Sequence, residues 1–309
     1  MAQPHLLVGA GFQAVDLPVR RMHPADLIEA LSAGLADFAA VPSHAIFLCL
    51  IYPVIGVLLA AATLGLNLVP LVYPAAAGFA LLGPVAALGL YELSRRREAG
   101  LAVSAQDALE VLHSPSIGAI VTLGLGLLVL FLIWIATAHA IYVANFGYPE
   151  QTPTIAQFVH DVLFTGPGWN LIIVGNAVGL AFAIVAFLIS VISFPLLLDR
   201  DVGVIGALVT SMRVVAANPG TMALWGLIVG GLLLIGSLPL FLGLTVVIPV
   251  LGHSTWHLYR KAVEPDPNPR PEYRPRAREP RYAADFPVAL LPFAHERRRG
   301  EEGERGDRP

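Results

Sequence analysis

The sequence predicts an all-α, polytopic membrane protein, with six transmembrane helices in three hairpins, each hairpin preceded by an interfacial amphipathic helix. Three observations carry this expectation. The chain is 56% hydrophobic and 13% charged, a balance foreign to soluble domains. From Phe38 to Tyr91 there is no Asp, Glu, Lys or Arg; about 20 apolar residues suffice to cross a bilayer, so that span holds two crossings. All nineteen Lys and Arg then fall on segments assigned to one side, as the positive-inside rule expects of a cytoplasmic face.

The elements follow in order. Residues 1–23 read as a flexible N-terminal arm. From Pro24, residues Leu27, Ile28, Leu31, Leu35 and Phe38 recur at helical spacing, with Asp26, Glu29 and Asp37 on the opposite side. This is a first surface helix, stopped by Val41-Pro42. His44 to Leu66 makes the first crossing, kinked at Pro53, and Val69 to Leu90 returns with a kink at Pro84. The return ends in Arg95, Arg96 and Arg97, which set the topology.

Ser104 with Asp107 starts a second surface helix in the manner of a capping box. Its apolar face is Leu101, Ala105, Ala108, Leu109 and Leu112, and Ser114-Pro115 ends it. Ile117 to Val143 is the third crossing. The connection from Ala144 to Gly168 carries Glu150 and Asp161 without Lys or Arg, as an external loop should. Leu171 to Leu198 is the fourth crossing and exits at Asp199-Arg200-Asp201. A third surface helix, Val202 to Ala217, ends at Asn218-Pro219. Thr221 to Gly236 and Pro239 to Tyr259 make the last two crossings, with Arg260 and Lys261 as the final topology-setting residues.

The unit of surface helix, X-Pro stop, crossing, return and basic exit thus occurs three times. The interval from Arg96 to Pro115 equals that from Arg200 to Pro219, and Pro84 precedes Arg95 as Pro249 precedes Arg260. Residues 24–263 form the integral membrane domain, and 264–309 read as a disordered, Pro- and Arg-rich cytoplasmic tail.

No crossing contains Asp, Glu, Lys or Arg, which argues against a carrier coupled through a buried carboxylate. The single cysteine, Cys49, excludes an intramolecular disulfide and a Cys-based metal cluster. There is no nucleophile elbow, P-loop or H-E-x-x-H motif, so no catalytic residue is assigned. If the threefold repeat brings the exits of the return helices to one depth, Glu92, Asp199, Arg200, His253 and His257 gather as a polar cluster at a cytoplasmic mouth. His253 and His257 stand four apart on one helix face and are the candidates for a metal or haem, against a default of no cofactor. Asn176, alone among apolar neighbours, is expected to bridge two helices.

The blocks Gly83-Pro-Val-Ala-Ala-Leu-Gly-Leu-Tyr-Glu-Leu-Ser-Arg-Arg-Arg-Glu98, Phe194-Pro-Leu-Leu-Leu-Asp-Arg-Asp-Val-Gly203, Asn218-Pro-Gly-Thr-Met-Ala-Leu-Trp-Gly226 and Gly252-His-Ser-Thr-Trp-His-Leu-Tyr-Arg260 carry a resemblance. In order, over about Arg21 to Val263, they resemble an uncharacterised bacterial integral membrane family, domain of unknown function 2189. The resemblance implies a multi-pass protein of the bacterial inner membrane and imports no activity. With the topology above, both termini are cytoplasmic. The expected role is a non-enzymatic membrane component binding lipid or a partner protein, including a second copy of itself, with no nucleic acid. The alternatives are a transporter or channel for a small solute, lined by the helices kinked at Pro53, Pro84 and Pro249, and a metal- or haem-binding respiratory accessory protein.

Overall fold

The computed structural model describes residues 17–40, 54, 56, 57, 61, 68–148, 154–239 and 241–265. Most of the N-terminal arm, the first crossing apart from four isolated positions, and the tail from residue 266 lie outside the described residues. Among the described residues there is no strand, and one antiparallel β-bridge joins Val19 to Val263. We number the helices α1 (Pro24–Ala40), α2 (Val69–Glu98), α3 (Ile117–Phe146), α4 (Ile155–Phe164), α5 (Gly166–Asp199), α6 (Gly203–Ala217), α7 (Pro219–Ser237) and α8 (Leu244–Ala262). A 3₁₀ helix, Ala105–His113, precedes α3.

Four of these, α2, α3, α5 and α7, are long and apolar enough to cross a membrane. The expected sixth crossing, α8, is not among them. Its first half is apolar, but His253, His257, Arg260 and Lys261 occupy the second. α3 shows the membrane pattern plainly: it buries Ala119, Ile120, Leu123, Leu127 and Trp134 and exposes Val121, Leu125, Val129 and Leu132. A helix apolar on its exposed as well as its packed face suits lipid rather than water.

Prolines break the long helices where they remove a backbone donor. α2 passes through a 3₁₀ turn, Ala80–Leu82, just ahead of Pro84. α5 breaks at Val191 and Ile192 and resumes as Ser193–Asp199, with Pro195 in its first turn. α8 carries Pro249 in its interior.

The connection expected to be an external loop contains α4. Thr154 caps it: its hydroxyl oxygen accepts from the Gln157 backbone N–H at 3.3 Å, while the Gln157 side chain accepts from the Thr154 N–H at 2.9 Å. Asp161 and His160 lie within this helix.

The three short elements share one arrangement. α1 packs on α8 with Gly34 so close to Ser254 that a Cβ would sit 2.5 Å from the Ser254 backbone nitrogen. The 3₁₀ helix packs on α2, with Ala108 Cβ 3.0 Å from where a Cβ on Gly89 would stand. α6 packs on the last segment of α5, where the Ser193 hydroxyl donates to the Ala207 carbonyl at 3.0 Å. Each lies against the half of a long helix that leads to its basic exit. Arg20 N–H donates to the Ala262 carbonyl at 2.9 Å and Glu264 N–H to the Pro18 carbonyl at 3.1 Å, so the start of the described chain is paired with its end.

Two expected faces are different in the structure. On α1, the buried line is Leu27, Ala30, Gly34 and Asp37, while Ile28 and Leu35 are exposed. Asp37 therefore faces inward, opposite to the assignment made from amphipathicity. On the 3₁₀ helix, Ala108 and Val111 are buried and Leu109 and Leu112 are exposed, as is Leu101 ahead of it. A helix of three residues per turn aligns i and i+3, so the apolar face drawn for a 3.6-residue period does not apply.

Candidate functional site

Polar chemistry concentrates where the exits of α2, α5 and α8 meet. Beneath the charges lies a packed apolar layer of Leu90, Tyr91, Phe194, Leu197, Trp256, Leu258 and Tyr259, all buried. Arg260 of α8 reaches both neighbours: its Nε lies 3.0 Å from Glu98 Oε1 on α2, and its Nη1 lies 3.5 Å from Asp199 Oδ2 on α5. Trp256 Nε1–H donates to Glu98 Oε2 at 2.9 Å, and Tyr259 OH donates to Asp199 Oδ2 at 2.5 Å. Residues from all three exits thus participate in a single contact network.

The five candidate residues are shared among three networks. Glu92, buried, accepts from Arg95 Nη2 at 2.7 Å and Arg96 Nε at 2.8 Å, and Arg96 Nη1 continues to Asp107 Oδ1 at 3.0 Å on the 3₁₀ helix. Asp199 and Arg200 belong to the Tyr259–Arg260 network, where Arg200 also donates to the Glu264 carbonyl. His253 and His257 are joined to each other through Asp37 and Ser94. The topology-setting residues are engaged as well: Arg97 donates to the Ala36 carbonyl at 2.7 Å, and Lys261 pairs with Asp26 and Glu29. Arg97 therefore places a cation at the C-terminal turn of α1, where the helix dipole favours one.

The Asp37 network is the most enclosed. His257 Nε2 lies 2.8 Å and Ser94 Oγ 2.6 Å from Asp37 Oδ2, and Ser94 Oγ lies 2.7 Å from His253 Nδ1. A carboxylate only accepts, so His257 and Ser94 both donate to it. The single Ser94 proton is then spent, and Ser94 Oγ must accept from His253 Nδ1–H. Proton positions are hence assigned by the network, with His257 protonated on Nε2 and the buried His253 on Nδ1. His253 Nε2 is buried and has no hydrogen-bond partner. Burial pushes the Asp37 carboxyl up, but hydrogen bonds from His257 and Ser94, with the pull of the two imidazoles, outweigh it and hold the group below its ordinary 3.8. Among the described residues, no three His, Cys, Asp or Glu side chains are placed to hold a metal ion.

Sequence reasoning missed Asp37, Ser94, Glu98 and Asn218 as members of these networks. Asn218, the residue before Pro219, is buried; its Oδ1 accepts from Met22 N–H at 2.7 Å and its Nδ2 donates to the Arg20 carbonyl at 3.0 Å. The signal for Asp37 was present in the spacing of Leu27, Ala30, Gly34 and Asp37, one helical line ending in a carboxylate. Asn176 does bridge two helices: Tyr73 OH on α2 donates to its Oδ1 on α5 at 2.8 Å.

No curated protein and no solved structure matches this chain. Residues 72–199, from the first turn of α2 to the end of α5, match the family described as predicted integral membrane protein (DUF2189); the blocks Asn218–Gly226 and Gly252–Arg260 lie beyond the matched residues.

Proposed function

We propose that this chain is a non-enzymatic, multi-pass component of the bacterial inner membrane that binds lipid at its basic end. The carrying observation is the same in all three short helices. Each turns one line inward and presents an apolar stripe outward: Ile28 and Leu35 on α1, Leu109 and Leu112 on the 3₁₀ helix, Ile205, Val209 and Met212 on α6. Helices with two apolar lines and charged neighbours suit the boundary between headgroups and acyl chains. Their arginines, at the same end, suit anionic headgroups.

In this reading the crossing expected at 44–66, largely outside the described residues, and α8 complete six crossings in three hairpins, and both termini are cytoplasmic. The apolar half of α8 lies in the bilayer, and its histidines and basic residues occupy the inner boundary. The test uses single cysteines at Ile28, Leu112 and Ile205 in a Cys49→Ser background, labelled with bimane in lipid nanodiscs. Phospholipids doxyl-labelled near the headgroup should quench all three, and more strongly than lipids labelled deep in the acyl chain. Absence of quenching by either lipid contradicts the proposal.

A further inference from the structure

Towards the end opposite the arginines, α2, α3 and α5 leave a recess of about 250 Å³ between them. Gly78 sets its wall: a Cβ there would lie 2.6 Å from Trp134 Cδ1, so only glycine lets the indole seat against α2. The Trp134 N–H donates to the Pro74 carbonyl at 2.8 Å, which fixes the ring, and Phe182 lies 5.5 Å from it, centroid to centroid. Gly175 leaves the α5 backbone bare, with no atom within 4 Å of where its Cβ would stand. The recess is therefore walled by fixed rings and bounded in part by glycine.

Its polar group is the Tyr73–Asn176 pair. Asn176 Oδ1 accepts from Tyr73 OH, and Nδ2 donates one proton to the Ile172 carbonyl at 2.8 Å. The second Nδ2 proton has no partner among the described residues. Both side chains are exposed, towards one end of the helices. Asn170 Nδ2–H donates to Asn145 Oδ1 at 2.7 Å where α3 ends and α5 begins, and Asn176 lies six residues further in, about 9 Å by helical rise. Phospholipid ester carbonyls stay at the bilayer boundary, outside the hydrocarbon. A lipid-soluble molecule entering sideways from the hydrocarbon can bring an acceptor to this exposed N–H.

We propose that this recess binds the ring of a lipid-soluble quinone. The free Asn176 N–H donates to one ring carbonyl, the ring lies beside Trp134 over the bare backbone at Gly175, and the apolar tail leaves sideways past Leu180 into lipid. The volume admits a single ring but not a whole lipid. A planar ring with a carbonyl at its edge satisfies the walls and the donor together; an acyl chain would satisfy only the walls.

The experiment uses the full chain in nanodiscs with a photoreactive azidoquinone, read by mass spectrometry, with decylubiquinone as competitor. Labelling should saturate, map to the α2 and α5 segments that line the recess, and be competed by decylubiquinone. Asn176→Leu should weaken competition about tenfold, the effect of one lost hydrogen bond. Gly175→Leu, which fills the open space, should abolish labelling, with helicity by circular dichroism unchanged in both variants. Labelling that does not saturate, that persists equally in Asn176→Leu, or that is competed by oleate as well as by decylubiquinone overturns the proposal.

Discussion

Gly34 carries the contact between α1 and α8. Because a Cβ there would meet Ser254 backbone rather than a movable side-chain tip, Gly34→Ala should cost about 1–3 kcal/mol, the range for overpacking. Gly230→Ala, with open space around the added atom, should leave the melting temperature in detergent almost unchanged. Asp37 contributes in a pH-dependent way. A carboxyl held below its ordinary value adds stability that is fully present above the unfolded-state value and lost as pH falls through the lower folded-state value. Acid should therefore release α1, measured as faster amide exchange in Pro24–Ala40 below about pH 4, and Asp37→Asn should flatten that acid limb. Asn218→Ala removes three hydrogen bonds to Met22, Arg20 and Val214. It should free the segment before α1, read as faster tryptic cleavage after Arg20 and Arg21.

Helix boundaries were the most legible feature of the sequence. Ser104 with Asp107, Ser114-Pro115 and Asn218-Pro219 act through nearest neighbours: Asp107 Oδ2 accepts from the Ser104 N–H at 2.7 Å, and a proline bars continuation wherever it sits. What was hidden depended on distant partners or on an altered period. Asp37 meets Ser94 and His257, far away in sequence, so sorting residues by polarity turns it outward although it continues the line of Leu27, Ala30 and Gly34. The 3₁₀ helix keeps a three-residue period, so Leu109 and Leu112 lie outside although an α-helical wheel puts them with Ala108. α4 was concealed because charge sign speaks to sidedness and says nothing of structure; Thr154 and Gln157 were the available signal. Thr154→Ala should cost that helix about 1 kcal/mol, seen as faster amide exchange confined to Ile155–Phe164.

Across the described part of residues 17–265, several basic residues tie the helices together at one end. Arg260 ties α2 to α5, Arg97 ties α2 to α1, and Arg20 ties the segment before α1 to the segment after α8 through Ala262. Arginine stretches far apart in sequence therefore emerge at one end, while Tyr148, exposed beyond α3, lies past the opposite end of that helix. The candidate site was legible only as a region: the sequence reading named residues at the helix exits but not the division of their side chains among networks, because pairing follows from which helices pack, and α1 on α8 could not be foreseen. The most direct test of the account is sidedness. Single cysteines at Ala99, Tyr148 and Pro265 in a Cys49→Ser background are exposed to a membrane-impermeant maleimide in intact spheroplasts. The account predicts labelling of Tyr148→Cys alone, with Ala99→Cys and Pro265→Cys reacting only after permeabilisation; labelling of Ala99→Cys or Pro265→Cys in intact spheroplasts would contradict it.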